Sequence, residues 1–253
     1  MEKLLTIGYS TLAERLKNIT PPKVDLTHDV FISIQNPNKA LFDLPNTFEY
    51  GHLKSEEKGV AKSRNLVLNN TKTKYLLFAD DEITFLSKGI ESAIDYLETH
   101  PGCDLVLAQA IDTNGALRKA YPGKEESLNK FNCARAATYE MIVRVESARS
   151  IGVTFDEKFG AGVENYLGDE YIFITDLIKK GGSATFLPLT IAIHPADSSG
   201  SRWGTEPDLR ARARVFQRVF GGLAPIIRAG FFIKNYQKFG GAKNLLKFVI
   251  GNF

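Results

Sequence analysis

Apolar and polar positions alternate along this chain with two different periods, and the switches between them outline its elements. Lys3–Ser10 (KLLTIGYS) reads as a short buried strand that ends in a glycine-containing loop. Leu12–Ile19 has helical spacing, and Pro21-Pro22 stops it. Val30–Ile34 is rich in β-branched and aromatic residues and ends at the turn signal Asn36-Pro37. After a polar stretch, Lys58–Asn69 predicts a helix with Val60, Ala61, Leu66 and Val67 facing inward. Tyr75–Phe78 is a continuous apolar strand running straight into Asp80-Asp81-Glu82. A helix over Lys88–Glu98 and a strand over Asp104–Gln109 follow.

Ile111–Lys130 is turn-rich and without clear period. Ala137–Ser150 predicts a helix ending at Gly152, and Asp169–Lys180 predicts another capped by Gly181-Gly182. Ala184–Ile193 supplies one or two strands before the loop His194–Gly204. Strands alternating with helices imply an α/β fold with a mixed, mostly parallel sheet flanked by helices. The pattern divides the chain into a catalytic domain over 1–205 and a basic, amphipathic helical extension over 206–253.

Composition narrows the class. The chain has 253 residues and is 43% hydrophobic, enough for a sizeable buried core. No apolar run reaches the roughly 18–20 residues that span a bilayer. Met1–Thr6 lacks the long apolar stretch of a signal peptide, and Cys103 and Cys133 show neither a CxxC pair nor a disulfide framework. A reduced, cytoplasmic setting is the expectation. Net charge is only +3, but Leu209–Phe253 carries nine Arg or Lys and no Asp or Glu. Such asymmetry points to an electrostatic address in the tail. One reading is peripheral contact with the cytoplasmic face of an inner membrane; the other is a pair of helices packed on the catalytic domain with solvated cations outside. No RNA- or DNA-binding motif is present, so nucleic acid is not an expected partner.

Two acidic clusters carry the candidate chemistry. Asp80-Asp81-Glu82 emerges from a buried strand at the carboxyl edge of the sheet, where open α/β sheets bind ligands. Three consecutive acids repel one another unless a cation compensates, and carboxylate oxygens suit Mg²⁺ or Mn²⁺. Gly168-Asp169-Glu170 opens a helix, where the dipole favours negative charge and a general base can face a hydroxyl.

These segments resemble glycosyltransferase family 2, whose members have the GT-A (Rossmann-like) fold. Ala61–Asn65 (AKSRN) is similar to the family's Arg-Asn helix, and Tyr75–Glu82 (YLLFADDE) to the strand that delivers its metal-binding Asp-x-Asp. Phe155–Gly160 with Gly168–Phe173 resembles the Phe-Asp-Glu…Gly and Gly-Glu-Asp-x-x-Phe pair. The match runs over roughly residues 58 to 195, in the family's order. The resemblance implies transfer of a sugar, with inversion, from a nucleoside-diphosphate donor (a UDP-sugar favoured) to a glycan or lipid-linked acceptor, in bacterial surface-polysaccharide assembly. It implies Asp80 and Glu82 as ligands of Mn²⁺ or Mg²⁺, with His194 either a third ligand or a structural residue. It implies Glu170 as the base with Asp169 in reserve. Donor contacts fall by position on Thr6, Gly8, Tyr9, Gln35, Lys62, Arg64, Asp80, Asp81 and Arg202. The chain departs from the family in Glu82, in the Asp-Glu order of 169–170, and in its opening strand and short first helix. The other classes to weigh are a sugar-nucleotide nucleotidyltransferase and a non-catalytic glycan- or nucleotide-binding protein on the same fold.

Overall fold

In the computed structural model, residues 3–20, 22–44, 46, 49–195, 203–239 and 244–251 are described. The order of elements is β1 (Leu5–Leu12), β2 (His28–Gln35), β3 (Gly51–Ser55), α1 (Val60–Asn70), β4 (Tyr75–Ala79), β5 (Thr84–Phe85) and α2 (Ser87–Thr99). There follow β6 (Leu105–Ile111), β7 (Glu126–Ser127), β8 (Met141–Arg144), α3 (Val145–Ser150), α4 (Asp169–Lys179) and β9 (Ala184–Ile193). The chain then runs through α5 (Glu206–Phe220), α6 (Ala224–Lys234) and α7 (Leu245–Ile250).

The strands form one mixed sheet in the order β3-β2-β1-β4-β8-β6-β9-β5, with β7 paired to β9. The pairings β3-β2, β2-β1, β1-β4 and β6-β9 are parallel; β8 runs antiparallel between β4 and β6. Helices cover both faces, so the strands are apolar on both sides. In β4, Tyr75, Leu77 and Ala79 join the core on the α2 face, while Leu76 and Phe78 join the core beneath α1 and α4.

The turn after α4 matches the glycine cap read from the sequence. Gly181 and Gly182 donate to Ile178 and Leu177 carbonyls at 3.1 and 3.0 Å, and Gly181 has φ +94°. Three expectations are corrected. Leu12–Ile19 is not a regular helix: β1 runs on to Leu12 and a 3-10 turn covers Ala13–Asn18. Ala137–Ser150 is not one helix: Met141–Arg144 is a strand and only Val145–Ser150 is α-helical. Met141, Ile142 and Val143 are 0% exposed between two neighbouring strands, and a short apolar run of that kind has no period that separates strand from helix. In α1, Leu68 is buried and Leu66 only half-buried.

α5 lies against α4, and its Val215 and Phe220 belong to the same core as Phe155, Ile172 and Phe173. Apolar packing therefore continues across residue 205, the boundary expected from charge.

Candidate functional site

The order β2-β1-β4 brings three carboxyl ends side by side at one edge. Tyr9 pairs with Ala79, so Ser10, Thr11 and Leu12 of β1 overhang the end of β4 and lie beside the first acidic cluster. Thr11 Oγ1 donates to Asp81 Oδ2 at 2.7 Å, and Arg15 Nη2 reaches Asp81 Oδ1 at 2.7 Å and Glu82 Oε1 at 2.9 Å. Burial raises the Asp81 carboxyl above its ordinary pKa against the pull of Thr11 and Arg15. Asp81 is thus a structural tie to β1, 8% exposed, whereas Asp80 is half-buried and Glu82 exposed.

The second cluster is joined to the first by Arg64. This buried arginine of α1 donates from Nη1 to Asp169 Oδ2 and from Nη2 to Asp80 Oδ1 at 3.2 Å. Burial opposes its charge, but the acids Asp169, Asp80 and Glu170 around it hold the guanidinium protonated, above its ordinary value. Next to it, Asn65 accepts from Phe155 N at 2.8 Å and donates to Phe155 O at 3.0 Å. The Arg-Asn pair therefore fixes both ends of the 155–169 segment. At its close, Gly168 caps α4 with φ +88°, a left-handed conformation suited to glycine.

Asp169 is 3% exposed and committed to Arg64, while Glu170 is half-buried beside it. Burial first, and then the Asp169 carboxylate, push the Glu170 carboxyl well above the usual carboxylate range, with Arg64 pulling the other way.

Several candidate donor contacts sit elsewhere than expected. Thr6 is 2% exposed and shares a hydrogen bond with Thr73 at 2.8 Å. Gly8 lies where Val67 of α1 and Leu76 leave no room for a Cβ, so its role is close helix–sheet approach. Tyr9 is 1% exposed in the core. All three are interior to β1 because the strand extends two residues past Ser10, and none presents a surface to a ligand. Gln35 is at the edge but is 6% exposed and accepts from Gly59 N at 2.9 Å, pinning the start of α1. Lys62 is half-buried and ion-paired to Glu57. Arg202 and the Ser198–Ser201 stretch lie outside the described residues.

His194 follows β9 with its ring stacked on Tyr139 at 4.9 Å and Nδ1 2.6 Å from Pro195 O. Among the described residues, no three His, Cys, Asp or Glu side chains gather around one point that could hold a metal ion. A three-ligand set of Asp80, Glu82 and His194 is accordingly not assembled. Among the described residues, Asp80 Oδ2 and Glu82 Oε2 make no ion pair, since the arginines take Oδ1 and Oε1. One or two carboxylates, completed by phosphate oxygens and water, is an ordinary way to hold Mg²⁺, so the residues fit a cation shared with a diphosphate.

Sequence reasoning missed a second polar group at this edge. Because β8 is antiparallel, its amino end reaches the same edge as the carboxyl end of β4. Glu140 there is 0% exposed, bonded to Lys119 Nζ at 3.0 Å and to the Tyr121 hydroxyl. Arg118 donates to the His194 carbonyl at 3.2 Å and to that of Pro195. Also missed was Ser10, whose hydroxyl is buried without a partner among the described residues, as is that of its neighbour Ser33. Arg118, Lys119 and Tyr121 fall in the stretch 111–130 that shows no clear period, whereas Glu140, Ser10 and Ser33 lie inside segments read as regular elements and carried no separate signal. Two cavities, of about 870 and 540 Å³, are lined by neither Asp80 nor Asp169 nor Glu170.

No family model matches the chain, and no curated protein matches its sequence. Solved structures do match. S. aureus TarS superposes with a TM-score of 0.56 at 14% identity, over 95% of this chain and 44% of that one. TarS 1-349 in complex with UDP and in complex with UDP-GlcNAc match with the same score and identity, over 92% of this chain and 72% and 73% of theirs. This chain spans less than half the length of the TarS chain. The likeness shows the fold, which is of the GT-A type expected from the motifs.

Proposed function

We propose that this protein transfers a sugar from a nucleoside diphosphate, a UDP-sugar, to a hydroxyl of a glycan or lipid-linked acceptor. The observation that carries the reading is the convergence of Asp80 and Asp169 on one buried arginine at the carboxyl edge of the sheet, with Glu170 next to Asp169 at the start of α4. The fold it shares with TarS, solved with UDP and with UDP-GlcNAc, adds support.

Glu170 takes the proton of the acceptor hydroxyl. The hydroxyl oxygen forms a bond to the anomeric carbon as the bond from that carbon to the diphosphate breaks, and the electron pair leaves with UDP. A single displacement inverts the anomeric configuration. Arg64 holds the two acidic clusters in register, and Thr11 and Gln35 fix the ends of β1 and β2 beside them through Asp81 and Gly59. Asp80 and Glu82 would hold Mn²⁺ or Mg²⁺, whose chemistry there is neutralisation of charge on the departing diphosphate. Asp169, bound to Arg64, keeps Glu170 basic: a proton acceptor with a raised pKa takes a proton more readily once ionised.

One observation favours binding without transfer: Arg64 and Arg15 already engage all three acids of the first cluster. UDP release from UDP-sugars separates the readings. Transfer requires release that E170Q lowers by about 10²–10⁴-fold with donor binding kept. Release should also rise with pH along a limb above the ordinary Glu range, because protonated Glu170 accepts nothing, and D169N should move that limb to lower pH. Equal release by wild type and E170Q would remove Glu170 from the chemistry.

A further inference from the structure

α6 and α7 build a small core together with Leu209 and Ala213 of α5. α6 and α7 each turn one side inward, and Phe232, Phe239 and Phe248 pack there with ring centroids 5.0 to 6.2 Å apart, none more than 1% exposed. Their outer sides are apolar as well. Ile226 and Ile233, two turns apart on one face of α6, are 70% and 72% exposed; Leu246 and Ile250, one turn apart on α7, are 69% and 60% exposed. Seven of the twelve exposed large hydrophobic residues among those described fall between Leu223 and Ile250, so the exposure is concentrated here. Scattered apolar residues on a surface need no explanation, but a concentration of them marks an interaction surface.

Charge identifies the occupant. On α5 the arginines have acidic partners: Arg214 pairs with Glu164, Arg218 with Asp156 and Asp176, and Arg212 with Asp208. On the next helices the pattern changes. Lys234 and Lys247 on α6 and α7, and Lys238 in the turn between them with its Nζ 4.7 Å from the Trp203 ring centroid, are exposed and make no ion pair among the described residues, and the sequence holds no Asp or Glu from Leu209 to Phe253. Unpaired cations thus begin where the outward apolar side chains begin. The occupant must accept alkyl side chains and bring negative charge. A second copy of this face would bring the same lysines, and like charges would meet. An anionic lipid surface supplies both alkyl chains and phosphates. α6 has 11 residues and α7 has 6, and no described helix is long and apolar enough to cross a membrane. Such helices lie in the plane of an interface.

We propose that the outer face of α6 and α7 docks on the surface of an anionic bilayer. Ile226, Ile233, Leu246 and Ile250 enter the acyl boundary, and Lys234, Lys238 and Lys247 meet the headgroup phosphates. The proposal is independent of the donor site.

Flotation of the whole protein tests it, with vesicles of phosphatidylcholine alone and of equal parts phosphatidylglycerol and phosphatidylcholine. Capture by the anionic vesicles only is expected, at least about tenfold weaker for I233E/L246E and about tenfold weaker for K234Q/K247Q. Unchanged circular dichroism melting shows that these exposed substitutions leave the fold intact. No capture by either vesicle, or equal capture by both, would overturn the proposal. So would an oligomer in light scattering that I233E/L246E dissociates while vesicle binding is absent.

Discussion

Arg64 is the residue on which the two acidic clusters close. Its side chain is 9% exposed and that of Asp169 is 4% exposed, so neither ion is well hydrated and each depends on the other. Removing one partner of such a pair leaves an uncompensated buried charge. R64A is therefore expected to lower stability to urea by about 3–5 kcal/mol. D169N in the R64A background should return part of that loss, since a neutral amide replaces the stranded carboxylate. A loss in R64A below about 1 kcal/mol, the range of surface pairs, would mean that the pair is solvated and does not organise the site. Asn65 has a different part: its amide is the hydrogen-bond partner of both backbone groups of Phe155, so the adjacent Arg and Asn tie down opposite ends of the 155–169 segment.

At the scale of elements, the site depends on how α4 begins. Gly168 combines a left-handed backbone with a close approach of α5: a Cβ there would lie 2.6 Å from Val215 Cγ2. G168A should consequently push α5 from α4, misplace Asp169 and Glu170, and lower the thermal midpoint and donor turnover together. Loss of neither would show that the helix start tolerates the shift. Elements with strong local signals were legible in the sequence. β4 is an unbroken apolar run, α2 and α4 carry clear helical periods, and the paired glycines after α4 mark its end. The misreadings have physical causes. Met141–Val143 is buried on both faces, so it lacks the alternation of a half-buried strand, and flanking residues suggested a helix. β5 and β7 have two residues each and exist only through pairing with β9, which no local pattern encodes. The end of β1 was placed too early, and this displaced the expected donor contacts to Thr6, Gly8 and Tyr9. The candidate acids Asp80, Asp81 and Glu82 stood out because their position after an apolar strand is itself a local signal. Thr11, Arg15 and Glu140 did not, because their partners are distant in the chain.

For the whole molecule, charge and packing divide the chain at different places. The basic bias begins near Leu209, yet α5 joins the main core through Val215 and Phe220 and the small aromatic core through Leu209 and Ala213, and Ala224 of α6 belongs to the main core. The polar edge and the apolar, cationic face lie apart, so the proposed donor chemistry and the proposed surface attachment fall in separate parts of the fold. The central claim concerns the edge, and calorimetric titration of the purified protein with UDP tests it most directly, with Mn²⁺ and with EDTA, alongside GDP and the variant D80N. UDP binding that needs Mn²⁺, exceeds that of GDP, and weakens at least about tenfold in D80N is the predicted result. Folded protein that binds neither nucleotide, or D80N that binds UDP as tightly as the wild type, would contradict the account.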